Sequence, residues 1–336
     1  MGIVCIKHTT MNLKMKLFLL LVLLVCSSWG FFSHRLINRL AVFTLPTDMM
    51  GFYKAHIEFI EQAAVNPDRR RYAVKGEAEC HFIDLDHYPL REGKMPIQQM
   101  DWEEAVCLFG EDSLREHGIL PWNLMKVYFR LRSAFAASDP DKILRISADL
   151  GHYVGDANVP LHTTSNYDGQ KTGQHGLHGF WESRLPELFF TDYDLLTGQA
   201  EFVPDVQARI WHDILSGHQL VDSVLQVERS LFLAQGPVKF SYETRGRMTA
   251  RVVSAEYAVA YHRLLRGMVE RRMRNSVKTA GDLWYTAWVE AGQPDLDRFR
   301  SWRPDPAELE RRRKELEGWK ERYLLPRNHE SESSEP

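Results

Sequence analysis

Apolar positions recur at helical spacing through most of this chain. Ile143, Ile146, Leu150 and Tyr153 fall on one face of a 3.6-residue repeat, and Ser138-Asp139-Pro140 ahead of them supplies a capping side chain followed by a proline in the first turn. Pro121 opens a second segment of this kind, through Leu124, Val127, Tyr128 and Leu131. A third is read from about Arg245 to Met273, with Val252, Val253, Tyr257, Ala260, Tyr261, Leu264 and Leu265 inward. No stretch alternates with the period of a strand between hairpin turns. The pattern therefore predicts an all-α fold, a single-domain multi-helix bundle. No Gly/Ser/Pro-rich linker divides it, so one helical domain is expected over 29–305. Residues 306–336 read as an appendage: a charged, Glu- and Arg-rich helix over 306–322 with few apolar anchors, then a polar end whose composition predicts disorder.

The N-terminus breaks the pattern. Lys14 and Lys16 precede an unbroken apolar run from Leu17 to Val25, too short for the roughly 20 residues that span a bilayer. It has the form of a signal-peptide core. Cys26 and Ser28 satisfy the small-x-small rule, which predicts removal of 1–28 before Trp29 and an exported protein, periplasmic or secreted. No transmembrane segment would remain after processing. The competing readings are an uncleaved anchor on a membrane-tethered scaffold, a lipidated Cys26 (for which Val25 is a poor preceding residue), and initiation at Met11 or Met15.

Composition excludes some functions. At 44% hydrophobic and 26% charged, the chain has the apolar mass for a core. The formal net charge is −3, and loss of Lys7, Lys14 and Lys16 with the leader makes the remainder more acidic still. A protein that held nucleic acid by bulk electrostatics would be basic. No stable nucleic-acid partner is expected, and any polyanion must be gripped locally. No protein partner is evident. After cleavage only Cys80 and Cys107 remain, which neither requires nor excludes one disulfide.

Histidine and carboxylate spacing carries the chemistry. His152 and Asp156 lie four apart at the end of a predicted helix, so both project from one face. His162 follows, and His178 and Glu182 repeat the four-residue spacing after a glycine-rich loop. Imidazole nitrogen with carboxylate oxygen favours zinc, or another first-row metal, over calcium or magnesium. One histidine here would be read as an ordinary core or surface residue. Two such pairs with a fifth donor between them are poorly explained that way. Upstream stand Trp29, His34, Asp68 in Asn66-Pro67-Asp68-Arg69-Arg70-Arg71, and His81 in Cys80-His81-Phe82-Ile83-Asp84.

In that order (Trp, His, Asp, His, then His-x3-Asp-x5-His and His-x3-Glu) the chain resembles the superfamily of bacterial zinc-dependent phospholipases C and fungal single-strand-specific zinc nucleases. The resemblance runs by motif from Trp29 to Glu182, and by helical content to about residue 275. It implies three zinc ions in a cleft of a helical fold. Asp68, His81, His152 and Asp156 would hold the first. Asp156 would bridge to a second, completed by His34 and by the terminal amine and carbonyl of Trp29, so that leader cleavage creates a ligand. His162, His178 and Glu182 would hold the third. The implied reaction is hydrolysis of a phosphodiester by activated water, with Asp68 orienting or deprotonating the water and Arg71 clamping phosphate.

The resemblance leaves the substrate open between phospholipid and single-stranded nucleic acid or nucleotide. The five-residue step from Trp29 to His34, and Arg71 after Asp68, match the nucleases. Phe82 and Asp84 are placed to stack on and hydrogen-bond a base, a pattern the phospholipases share, and Glu182 matches the phospholipases. Arg69 and Ala78 stand where those enzymes would carry aromatic residues for a choline headgroup, and Arg69 would repel such a cation. The expected activity is a phospholipase C-like phosphodiester hydrolase, with the single-strand nuclease close behind and a non-catalytic zinc-binding protein as the reading from another class. His117, His175 and the His212-Asp213 pair match no ligand position.

The leader reading is checked by N-terminal sequencing of protein expressed from the full chain and exported. The expected first residue is Trp29; a product retaining Leu17–Val25 would support the membrane tether instead.

Overall fold

The computed structural model describes residues 31–88, 96–235, 239–245 and 248–321. Its helices, in chain order, are α1 (Phe31–Ala41), α2 (Thr47–Ala55), α3 (Ile57–Ala63), α4 (Asn66–Arg70), α5 (Trp102–Phe109), α6 (Glu111–Glu116), α7 (Leu120–Ala136) and α8 (Pro140–Ala157). There follow α9 (Leu177–Gly179), α10 (Leu185–Phe189), α11 (Val206–His218), α12 (Val221–Gln235), α13 (Ala255–Leu264), α14 (Met268–Glu290) and α15 (Pro306–Glu321). A π-helical stretch, Phe180–Arg184, joins α9 to α10. The architecture is all-helical, as the periodicity predicts, with one small antiparallel sheet of β1 (Phe240–Arg245) and β2 (Met248–Val253).

The two best sequence signals mark two central helices. α8 begins where Asp139 accepts a hydrogen bond from the Lys142 backbone N–H at 3.1 Å and Pro140 occupies the first turn. α7 buries Leu124, Val127, Tyr128 and Leu131, the stripe read from sequence. These two helices pack along each other, α14 packs against both, and α1 packs against α8 and α14. Their inward side chains, with Phe52 and Tyr53 of α2, form one buried apolar cluster. Tyr53 stacks on Trp284 with ring centroids 5.2 Å apart, and its hydroxyl meets Ser147 Oγ at 2.8 Å. A second apolar cluster, built from Leu161, Leu177, Phe180, Trp181, Tyr257, Tyr261 and Val269 among others, lies beyond the C-terminal end of α8.

The helix expected from Arg245 to Met273 does not form as one element. Its first part is the hairpin, in register from Phe240 opposite Val253 to Arg245 opposite Met248. Phe240-Ser-Tyr-Glu-Thr and Thr249 to Val253 are rich in β-branched and aromatic residues, which favour extended backbone. Ser254 then caps α13 by accepting from the Tyr257 N–H, and Gly267 at φ +75° separates α13 from α14. Of the residues expected inward, Tyr257, Tyr261 and Leu265 are buried, whereas Leu264 is 49% exposed.

The charged tail helix is docked rather than merely solvated. Arg145 pairs with Glu315 at 2.8 Å, Arg312 pairs with Glu308 and Asp141, and the Arg312 guanidinium lies 4.6 Å from the Phe59 ring centroid. Cys80 and Cys107 are both free thiols, and burial pushes the Cys80 thiol up to about 12. Among the described residues no helix is long and apolar enough to cross a membrane. The leader (1–28), Trp29 and the polar end (328–336) lie outside the described residues.

If the Tyr53–Trp284 stack anchors the core, Trp284→Ala should cost about 3–5 kcal/mol and Tyr53→Phe about 1 kcal/mol. Urea unfolding midpoints read both; equal, small effects would place the main stabilising contacts elsewhere.

Candidate metal centre

The site forms where the two apolar clusters meet. His152 and Asp156 project from the last turns of α8, whose Leu150, Tyr153, Val154 and Ala157 belong to the first cluster. His162 follows Leu161, His178 follows Leu177, and Glu182 follows Trp181. Each of those three apolar neighbours is anchored in the second cluster. His34 comes from α1, Asp68 from α4, and His81 from a short turn at Ala78–His81. Packing of adjacent apolar residues thus fixes each polar donor.

Eight of the nine sequence-predicted metal ligands converge. Three groups could each hold a metal ion: Asp68 with His81 and His152, His34 with His152 and Asp156, and His162 with His178 and Glu182. Asp156 faces four imidazoles. Its Oδ2 lies 2.9 Å from His81 Nδ1 and 3.3 Å from His152 Nε2, while Oδ1 lies 3.4 Å from His34 Nε2 and 3.7 Å from His162 Nε2. Asp68 Oδ1 stands 3.8 Å from His152 Nε2 and 3.9 Å from His81 Nδ1. Glu182 Oε2 lies 2.9 Å from His178 and 3.5 Å from His162, and Oε1 reaches His34 at 3.0 Å. The ninth ligand, Trp29, falls outside the described residues.

These separations fit a cation. Ligands at 2.0–2.2 Å around a tetrahedral ion stand about 3.3 Å from one another. His162 Nε2 is buried without a hydrogen-bond partner although two carboxylates lie just beyond hydrogen-bond range. Backbone carbonyls set the ring orientations. His152 Nδ1–H donates to Ala64 O at 2.9 Å and His178 Nδ1–H to Tyr167 O at 3.3 Å, which leaves each Nε2 lone pair directed at the carboxylates.

Glycines that the sequence reading passed over bring α1 onto α8. A Cβ at Gly151 would stand 2.0 Å from Asn38 Oδ1, and one at Gly155 would stand 2.7 Å from His34 Nδ1. Gly151 and Gly155 are one turn apart, as are Asn38 and His34, so the helices touch along one bare strip. Asn38 Nδ2 also donates to Ala148 O at 3.0 Å. Arg272, likewise unmarked by any motif, closes the end of α8. Its Nε donates to Asn158 O at 2.8 Å, and its Nη2 donates to Asp213 O at 2.6 Å. The cation sits at the negative end of the helix that carries Asp156. Burial lowers its pKa to about 10, which still leaves it charged at neutral pH. The i,i+4 glycine pair was the available signal for the first feature; Arg272 had none.

The electrostatics follow from burial and proximity. Burial alone would raise the pKa of Asp156, but His152, His162 and His81 hold it well below the usual carboxylate range. Glu182 is likewise held well down by His162, His178 and His34 against its burial. Burial opposes protonation of His34, yet its hydrogen bond to Glu182 and the charges of Asp156, Glu182 and Asp68 raise it to about 9. His81 is lowered, by burial first and by His152 and Arg71 as well.

The remaining candidates divide. The charge of Arg71 bears on both His81 and His178, opposing protonation of each. Arg70 turns inward instead, pairing with Glu77 at 2.9 Å and Asp149 at 3.1 Å. Phe82 is buried against Gly118, where a Cβ would come within 2.4 Å of its ring. Asp84 is buried with Oδ2 3.4 Å from His117 Nδ1, and His117 stacks on His87. His175 and the His212 ring are exposed and belong to none of the three groups. Compared with models of protein families and with curated proteins, the chain matches none.

Gly155→Ala should push His34 out of place and weaken divalent-metal binding by about tenfold or more, with helical content retained, as read by calorimetric titration and circular dichroism. The metal-free protein should also show a stability optimum in pH. Asp156 and Glu182, with depressed pKa values, contribute stability that is lost as pH falls through the acid range. His34 contributes fully below its ordinary 6.5 and loses that contribution as pH rises through about 9. Thermal midpoints of chelator-treated protein that rise steadily from acid to alkaline pH would contradict this.

Proposed function

We propose that this chain is a zinc-dependent phosphodiester hydrolase, phospholipase C-like, holding three zinc ions. The observation that carries the reading is the linkage of the three donor groups through two buried carboxylates. Asp156 faces the first two groups with separate oxygens, and Glu182 spans His34 and the His162–His178 pair. A protein that merely captured metal would gain nothing from linked sites, whereas clustered cations suit a charged transition state. Bound zinc would supply Lewis acidity, making water a usable nucleophile near neutral pH and stabilising charge on phosphoryl oxygens.

The chain's own groups take the other roles. Asp68, about a quarter exposed, is the carboxylate of the cluster open to solvent and so accepts the proton of the attacking water. Arg71, whose charge reaches both His81 and His178, binds two phosphate oxygens and orients the ester. His34, His81, His152, His162 and His178 would hold the cations, the rings of His152 and His178 being fixed by backbone carbonyls. Arg69 disfavours a cationic headgroup, which leaves anionic or uncharged lipids and nucleotides. Single-strand nuclease activity is the second reading, favoured by the arginine placement; burial of Phe82 weakens its role as a stacking platform. Export and cleavage before Trp29 belong to the same proposal, because the freed amine would complete the second metal group.

The test uses mature protein made with its leader intact. Metal analysis should give about three zinc per chain, with chelator-sensitive hydrolysis of bis(p-nitrophenyl) phosphate and of either single-stranded DNA or a phospholipid panel. Asp68→Asn should lower kcat by about 10²–10⁴. Bound zinc without turnover on any substrate would sink the hydrolase and leave a metal-binding protein; no bound metal would sink both.

A further inference from the structure

Between α1 and α3 lies a concavity of about 350 Å³ lined by Phe31, Phe32, Arg35, Leu36, Arg39 and Glu61. The segments that supply two metal donors also supply two arginines here: Arg35, which lines the concavity, follows His34, and Arg69, which lies over the lining Phe31 ring, follows Asp68. Arg69 extends over the Phe31 ring, its guanidinium carbon 5.6 Å from the centroid. The two guanidiniums are close enough for each other's charge to be felt: burial first, and then Arg35, depress the pKa of Arg69.

The charges in this pocket do not cancel. Glu61 is taken by Arg39 at 2.7 Å. Asp68 faces His81 and His152. Arg69 Nη1 donates to the neutral Asn66 Oδ1 at 3.2 Å. Arg35 has no hydrogen-bond or ion-pair partner among the described residues, and its Nε is buried. A buried guanidinium donor without an acceptor is costly unless a ligand supplies one. Arg35, which lines the concavity with Phe31, and Arg69, which lies over the Phe31 ring, offer two guanidinium forks to an oxyanion, because each can give parallel hydrogen bonds to phosphate oxygens.

We propose that Arg35 and Arg69 form a second anion subsite, which binds a phosphate group of the substrate other than the one being cleaved, with the linking portion against Phe31. This deepens the hydrolase reading and rests on it. It restricts the substrate class to diesters that carry a second phosphate, a chemistry shared by oligonucleotides and phosphorylated lipid headgroups.

The test compares zinc-loaded wild type with Arg35→Ala on matched substrates: a dinucleotide with and without a terminal phosphate, and a phosphatidylinositol with and without a headgroup phosphate. Wild type should prefer the phosphorylated member of one pair by about tenfold in kcat/KM, which identifies the source, and Arg35→Ala should reduce that preference to about twofold or less. Equal losses on both members, or an undiminished preference, would overturn the subsite. If no diester is cleaved, the hydrolase reading fails by itself and the subsite is still read by calorimetry. Wild type should bind an alkanediyl bisphosphate about tenfold tighter than methyl phosphate, and Arg35→Ala should lose that margin. Equal affinities in wild type would overturn the proposal.

Discussion

One buried carboxylate organises this molecule. Asp156 is 1% exposed and faces four imidazoles drawn from α1, the Ala78–His81 turn, α8 and the segment after it. A charge so placed is tolerable only if opposite charge surrounds it, because the interior solvates it poorly. The fold meets that requirement with the imidazoles themselves, those of His152, His162 and His81 above all, and it shares His34 between Asp156 and the second buried carboxylate, Glu182. The same demand suits divalent cations, and three donor groups able to hold them surround this carboxylate and its neighbour Glu182.

The rest of the architecture serves to hold those groups at a few ångströms. The donors of the second half are each one residue from a side chain locked in the second apolar cluster, so packing energy is converted into donor position. The approach of α1 is set by absence of side chains at Gly151 and Gly155. The π-helical stretch carries Glu182, and such widened turns let a helix aim one side chain without breaking its hydrogen-bonded ladder. Rigid elements rather than loops therefore define most of the centre.

Much of the fold was legible in the chain. The stripes of α7 and α8 and the Asp139-Pro140 start are local signals, governed by side-chain periodicity and capping, and they appear where expected. The hairpin at Phe240–Val253 was not legible, because an apolar run with Tyr, Thr and Val supports either state until its neighbours are known. For the same reason the docking of α15 was missed: its anchor is a set of ion pairs to Arg145 and Asp141, which leave no apolar stripe in the sequence.

At the site, sequence by itself determined the donor types and their pairing along helices, since His152 with Asp156 and His178 with Glu182 share a face at four-residue spacing in any α-helix. Tertiary structure alone decided that the pairs meet, that Asp156 and Glu182 each face more than one imidazole group, and that Arg70 turns inward while Arg71 lies near the histidines. It also decided that Arg35 finds no acceptor among the described residues. The physical reason is range. Periodicity fixes directions within one element, whereas distances between elements depend on how clusters far apart in sequence pack, and on which residues, such as Gly155, give way.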